Sequence, residues 1–122
     1  MKPGKTGIER IWDAFKYSVD GFKATFKTEA AFRQEMFLCL VGIPIILLLR
    51  ITMVDKLLLF SGLFFIVFAE LVNTAVEVII DRISDKIHPL SKKAKDIGSL
   101  MVLLAILYAA TVWGLILFKN FF

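Results

Sequence analysis

Residues 69–82 read AELVNTAVEVIIDR, a segment apolar enough to lie in a membrane that nevertheless carries two glutamates and an asparagine. At 100° per residue, Glu70, Asn73, Glu77 and Asp81 fall at about 0°, 300°, 340° and 20° around a helix, so the four share one narrow face. Ionisable residues at membrane depth are costly and usually face a bundle interior or an aqueous cavity, which makes this stripe a functional-site hypothesis. Glu70 lies about 15 Å of helix before Ile80, too deep for its side chain to reach water by length alone.

The surrounding chain has 122 residues, of which 58% are hydrophobic, and a mean hydropathy of +0.77. That is too apolar for an ordinary soluble domain and points to an all-α integral membrane protein of one domain. The clearest span is IGSLMVLLAILYAATVWGLILF, residues 97–118, whose helical length of about 33 Å crosses a hydrocarbon core. A second span covers about residues 57–80 and carries the acidic stripe in its C-terminal half. A third, MFLCLVGIPIILLL at 36–49, reaches only about 21 Å by itself. Extended backward through Glu29 it becomes a membrane helix over 29–49 with a charged end in the interface, and neighbouring helices accommodate a kink at Pro44. The charged start of the last span puts its helix at about 96–118.

Residues 6–28 show a different pattern. Ile8, Trp12, Phe15, Val19, Phe22 and Phe26 recur at spacings of four and three, with charged residues on the other faces. This describes an amphipathic helix lying in the membrane interface. No cleavable leader is expected, because the first long apolar run begins only at Met36.

Positive charge sets the expected orientation. Lys2, Lys5, Arg10, Lys16, Lys23, Lys27 and Arg33 precede the first span, and Arg82, Lys86, Lys92, Lys93 and Lys95 lie in the stretch from Asp81 to Asp96, read as a loop. Only Arg50, Lys56 and Lys119 fall on the other side. Three spans with a cytoplasmic N-terminus satisfy this bias. The net charge of +4 then faces anionic lipid and cytosol, where it also suits a polyphosphate; no nucleic-acid partner is expected.

Cys39 is read as a packing residue, and a single histidine, His88, excludes a His-rich metal site and is taken first as a loop residue. Trp12, Tyr108 and Trp113 are read as packing or interface anchors. Lys92, Lys95, Asp96 and Ser99 share a face where the last span enters the membrane. A cation beside a carboxylate stripe suggests an anion bridged by metal, and oxygen ligands without thiolates favour a hard cation such as magnesium held with substrate phosphates. Two function classes remain open at this point. One is a proton- or cation-coupled carrier subunit in which Glu70 titrates. The other is a membrane enzyme acting on a lipid headgroup with a phosphorylated cosubstrate. Neither GxxxxGK[ST] nor a protein-kinase glycine loop occurs, so a nucleotide needs another constellation.

The stretches EAAFRQE (29–35), ELVNTAVEVIIDRI (70–83) and AKDIGS (94–99), together with RIWDAFKYS near the start, resemble the small prokaryotic diacylglycerol kinase family along the whole chain. The resemblance implies a homotrimeric integral-membrane lipid kinase of the bacterial inner membrane that uses ATP and Mg2+ to convert diacylglycerol to phosphatidate. By position it implies Glu70 as the catalytic base and Glu29 and Glu77 as magnesium carboxylates. It assigns Lys95 to the phosphate charge and Asp96 and Asn73 to orienting the site. Arg10, Tyr17, Lys86, Ile87 and His88 correspond to positions around the nucleotide, and Glu29, Asn73, Glu77, Lys95 and Asp96 count among its contacts as well. The lipid would be met by Arg10, by Ala14, Phe15, Lys16, Tyr17, Ser18 and Val19, and by Lys23, Ala24, Thr25 and Phe26. Ala31, Phe32, Arg33, Gln34, Glu35, Glu70 and Ser99 complete that set.

Residues 36–56 and the loop around His88 depart most from the diacylglycerol enzymes, and a related group phosphorylates undecaprenol with the same catalytic motif. The FRQE segment and the long amphipathic start favour diacylglycerol. Three spans of one chain cannot enclose such a site, so it is expected to be shared between neighbouring chains.

Overall fold

The computed structural model describes residues 6–122, which leaves Lys2 and Lys5 of the charge count outside the described residues. Four helices follow one another: α1 (Gly7–Thr28), α2 (Ala30–Leu48), α3 (Met53–Ile83) and α4 (Pro89–Phe121). The last three are long and apolar enough to cross a membrane. With 31 and 33 residues, α3 and α4 run about 47 and 50 Å, beyond a hydrocarbon core of about 30 Å, so both carry polar turns past it.

The helices start and stop for local reasons. Thr52 caps α3, its hydroxyl accepting from the Asp55 N–H at 3.2 Å. His88 caps α4, its Nδ1 accepting from the Leu90 N–H at 3.1 Å, with Pro89 in the first turn. The helix therefore begins at Pro89, and the loop expected over 81–96 shrinks to Ser84–His88 because α3 also runs on to Ile83. Between α1 and α2 a single extended residue, Glu29 (φ −111°, ψ 109°), breaks the helix. Arg33 holds that joint by donating to the carbonyls of Phe26 at 2.7 Å and Lys27 at 3.1 Å, the free C-terminal acceptors of α1. Phe22 meets the fully buried Phe32 edge-on at 5.5 Å beside it.

α3 packs along α4 and more briefly against α2, while α1 meets the bundle mainly through α2. Small residues set the α3–α4 approach. A Cβ on Gly62 would lie 3.1 Å from the Ala109 backbone, and one core cluster is Ile66, Ala69, Ala105 and Ala109. A second cluster gathers Ile46, Leu59, Leu63 and Ile116, with Cys39 and Trp113 against it. The Trp113 indole donates to the Leu59 carbonyl at 3.0 Å, and Tyr108 shares a 2.9 Å hydrogen bond with Ser61. Both aromatics are thus packing residues within the bundle. At the end away from the Ser84–His88 loop, the buried Asp55 pairs with Lys119 at 2.9 Å and accepts from Asn120 at 3.2 Å.

Much of the apolar surface faces outward, including Phe60, Phe64, Phe65 and Phe68 on α3 and Ile8, Ile11, Trp12 and Phe15 on α1. A bundle with this exterior suits lipid or further helices around it. Equilibrium unfolding in mixed micelles is expected to show Gly62→Leu destabilised by about 1–3 kcal/mol through overpacking, and Leu59→Ala by about 2–5 kcal/mol through the cavity it leaves.

Candidate active site on α2, α3 and the start of α4

The stripe on α3 is a gradient of burial. Glu70 and Asn73 are 7% and 9% exposed, Glu77 is half-buried, and Asp81 is exposed one turn further on. Asn73 Nδ2 donates to Glu77 Oε1 at 3.2 Å, the i,i+4 geometry that a shared helix face permits. Asp81 leaves the stripe to pair with Lys95 Nζ of α4 at 2.9 Å. Lys95 is also within electrostatic reach of Glu77.

Two more carboxylates approach from the first half of the chain. Glu29 lies at the α1–α2 break and makes no side-chain capping bond, so its carboxylate is not used by the helix it precedes. Its charge acts on Glu70, as does that of Glu77. Glu35, two turns along α2 from Glu29, is half-buried and within electrostatic reach of Glu70. Among the described residues no lysine or arginine forms an ion pair with Glu29, Glu35, Glu70 or Glu77. Carboxylates without a paired cation favour a proton or a cationic partner beside them. Glu35 Oε1, Asn73 Oδ1 and Thr74 Oγ1 are buried without a hydrogen-bond partner. Buried polar atoms are nearly always satisfied, so each of these is an exception in the packing of α2, α3 and α4.

Below this cluster, at the loop end of the bundle, a cavity of about 350 Å³ opens between α3 and α4. Its wall contains Lys86, Ile87, His88, Lys95 and Asp96, with Asp81, Asp85, Ser91 and Lys92, so lysines and aspartates alternate around it. Five residues assigned by resemblance to the nucleotide thus come together in one cleft. Lys92 is tied to Asp96 on the next turn at 2.6 Å. Asn73 and Glu77 lie on α3 above the cleft. Arg10 and Tyr17 are not gathered with them; both are exposed on α1.

The lipid-facing residues divide in the same way. Glu35, Phe32 and Glu70 lie inside the bundle, and Arg33 is occupied at the α1–α2 joint. Ala31, Gln34 and Ser99 are exposed. On α1, Ser18 and Thr25 donate to the carbonyls of Ala14 and Gly21 in their own helix, while Lys16 stands over the Trp12 ring at 5.9 Å. Phe15, Tyr17, Lys23, Ala24 and Phe26 are exposed along this helix, and Val19 is half-buried.

No three histidine, cysteine, aspartate or glutamate side chains among the described residues stand close enough to hold a metal by themselves. Magnesium does not require that. It is commonly held by one or two carboxylates with water and substrate phosphates completing the octahedron. Glu29 and Glu77, which have no cation partner among the described residues, offer that oxygen chemistry, and Lys95 supplies nearby positive charge. Asp55 and the capping role of His88 were missed by sequence reasoning; Asp55 needed its partners 64 and 65 residues away, whereas a His-Pro pair before a helical pattern is a legible start signal.

A family model described as prokaryotic diacylglycerol kinase matches residues 16–117. The chain is similar to the diacylglycerol kinase of Haemophilus influenzae, at 42% identity over 113 residues covering 93% of this chain and 96% of the relative. It is 41% identical to that of Pseudomonas aeruginosa, with 93% of each chain covered, and 38% identical to that of Escherichia coli, with 99% of each covered. If the α3–α4 cleft receives a polyphosphate, Lys95→Met is expected to weaken ATP binding about 10–100-fold, the worth of a hydrogen bond to a charged group. Titration calorimetry of the purified protein checks this.

Proposed function

Because the chain belongs to the prokaryotic diacylglycerol kinase family, we propose that it transfers the γ-phosphoryl group of ATP to the primary hydroxyl of diacylglycerol, giving phosphatidate and releasing ADP. The observation that carries this reading is the buried carboxylate of Glu70 at the meeting of α2 and α3, without a cation partner among the described residues, on the helix that runs on to a cleft where Lys86, His88, Lys92 and Lys95 stand beside Asp81, Asp85 and Asp96. The relatives support the choice of lipid by their names.

On this reading each part has a task. The cleft of Lys86, His88 and Lys95 takes the phosphate tail from the loop end, where water and nucleotide have access. Glu29 and Glu77 are the carboxylates for magnesium, which when bound offsets charge on the phosphates. Glu70 sits deeper and accepts the hydroxyl proton of the lipid as that oxygen attacks phosphorus. Catalysis is then mostly positioning and electrostatic stabilisation. The exposed apolar face of α1 holds the amphiphile at the interface, so that only its hydroxyl has to reach Glu70.

The same reading includes an inner-membrane location with the N-terminus in the cytoplasm, on the charge bias of the sequence. It also includes a homotrimer, supported by the outward-facing aromatic side of α3 and by Arg10 and Tyr17 standing apart from the cleft within one chain. Neighbouring copies would bring their α1 helices and carboxylates to a shared site.

Purified protein in mixed micelles with Mg2+ and ATP is expected to turn over with diacylglycerol and not with undecaprenol. Glu70→Gln is expected to lower turnover about 10²–10⁴-fold, the usual contribution of a general base. Turnover with undecaprenol alone would change the substrate and keep the mechanism, and turnover with neither lipid would refute the kinase reading. For the shared site, mixing Glu70→Gln chains with Glu77→Gln chains should restore part of the activity. No recovery in verified mixed oligomers would place both residues in one chain's site.

A further inference from the structure

Gly98 is buried in α4, two residues after Asp96, where that helix passes α3 at the level of Asn73. A Cβ at this position would overlap Asn73 Oδ1 and stand 3.2 Å from Asn73 Cγ, while the Asn73 Cα would be at an ordinary contact of 3.5 Å. The conflict is therefore confined to the carboxamide, with the α3 backbone clear of it. That carboxamide donates through Nδ2 to Glu77 Oε1 at 3.2 Å, and its Oδ1 is buried without a hydrogen-bond partner against the bare Gly98 backbone. Two contacts thus define the orientation of the Asn73 side chain: a hydrogen bond on its nitrogen side and the missing Cβ of Gly98 on its oxygen side.

We propose that Gly98 is a positioning residue: its bare Cα seats the Asn73 carboxamide so that Asn73 holds the Glu77 carboxylate in the orientation the site uses. Gly98 touches no substrate and acts through Asn73. Its task differs from that of Gly62, where the absent Cβ admits the Ala109 backbone and the effect is on helix packing. At Gly98 the neighbour is the free end of a polar side chain, so an added methyl changes a hydrogen bond before it changes the fold. The consequence for turnover rests on the kinase reading; the consequence for Asn73 does not.

The chain contains two asparagines, Asn73 and Asn120, so protein labelled with ¹⁵N-asparagine shows two side-chain amide pairs by NMR, assigned by the loss of one in Asn73→Ala. In protein free of metal and nucleotide, Gly98→Ala is expected to shift the Asn73 pair and leave the Asn120 pair in place. With ATP, magnesium and lipid, Gly98→Ala is expected to lower kcat/KM about 10–100-fold, as loss of an orienting partner of a metal-binding carboxylate does. Adding Gly98→Ala to Asn73→Ala should produce no further loss, because both act through one side chain. An unmoved Asn73 pair, or losses that multiply in the double variant, would overturn the proposal whether or not the protein is a kinase. If Gly98→Ala does not accumulate in membranes, the double variant with Asn73→Ala should, since the clashing group is gone; its failure would place the conflict in the backbone and overturn the proposal as well. Absence of lipid-dependent turnover in the parent protein would count against the kinase reading alone, and the NMR result would still decide the role of Gly98.

Discussion

The close approach of α3 and α4 is the constraint on which the rest of this structure depends. In lipid, burying an apolar side chain between helices gains little over leaving it among acyl chains, so packing of small residues and interhelical hydrogen bonds have to hold helices together. Gly62 and Ala109 let the backbones meet, Ala69 and Ala105 continue the seam, and the Trp113 indole bonds across it to Leu59. The Asp55, Lys119 and Asn120 group closes one end and the Asp81–Lys95 pair the other. With those contacts the register of α4 along α3 is fixed. That register puts Gly98 against Asn73 and Lys95 within reach of Glu77.

The position of the seam also explains why one helix carries groups of such different exposure. Glu70 and Asn73 lie where α2, α3 and α4 all contribute atoms, and Asp81 lies where α3 has run past the other contacts. A deep carboxylate and a shallow charged cleft along one helix suit a reaction between an amphiphile held in the interface and a charged cosubstrate arriving from water. The charged residues at the loop end line a cleft between α3 and α4, and the other end of the bundle is held by apolar packing of Leu59, Leu63 and Ile116 and by the Asp55 cluster.

The acidic stripe was legible because four polar residues at helical spacing stand out against an apolar background, and the three membrane helices because long apolar runs have few alternatives. The boundaries were less legible. The lysine-rich stretch 89–96 looks like a loop by composition, but His88 and Pro89 start a helix there, and Lys92 and Lys95 pair with Asp96 and Asp81. The joint at Glu29 was read as continuous with α2, because a single extended residue leaves no mark on a hydrophobic pattern. Asp55 and Gly98 were invisible for a shared reason. What each does is determined by a partner on another helix, Lys119 for one and Asn73 for the other, and spacing along one helix carries no information about its neighbour.

The central claim is that this bundle moves a phosphoryl group onto a lipid hydroxyl, and following the phosphate itself tests it most directly. Purified protein would be given ATP labelled at the γ-phosphate, Mg2+ and diacylglycerol in micelles, and the label traced into lipid and into free phosphate. The account predicts label in phosphatidate, dependent on Mg2+ and lost in Glu70→Gln. Label recovered only as inorganic phosphate, or only in unreacted ATP while the protein is folded, would contradict it.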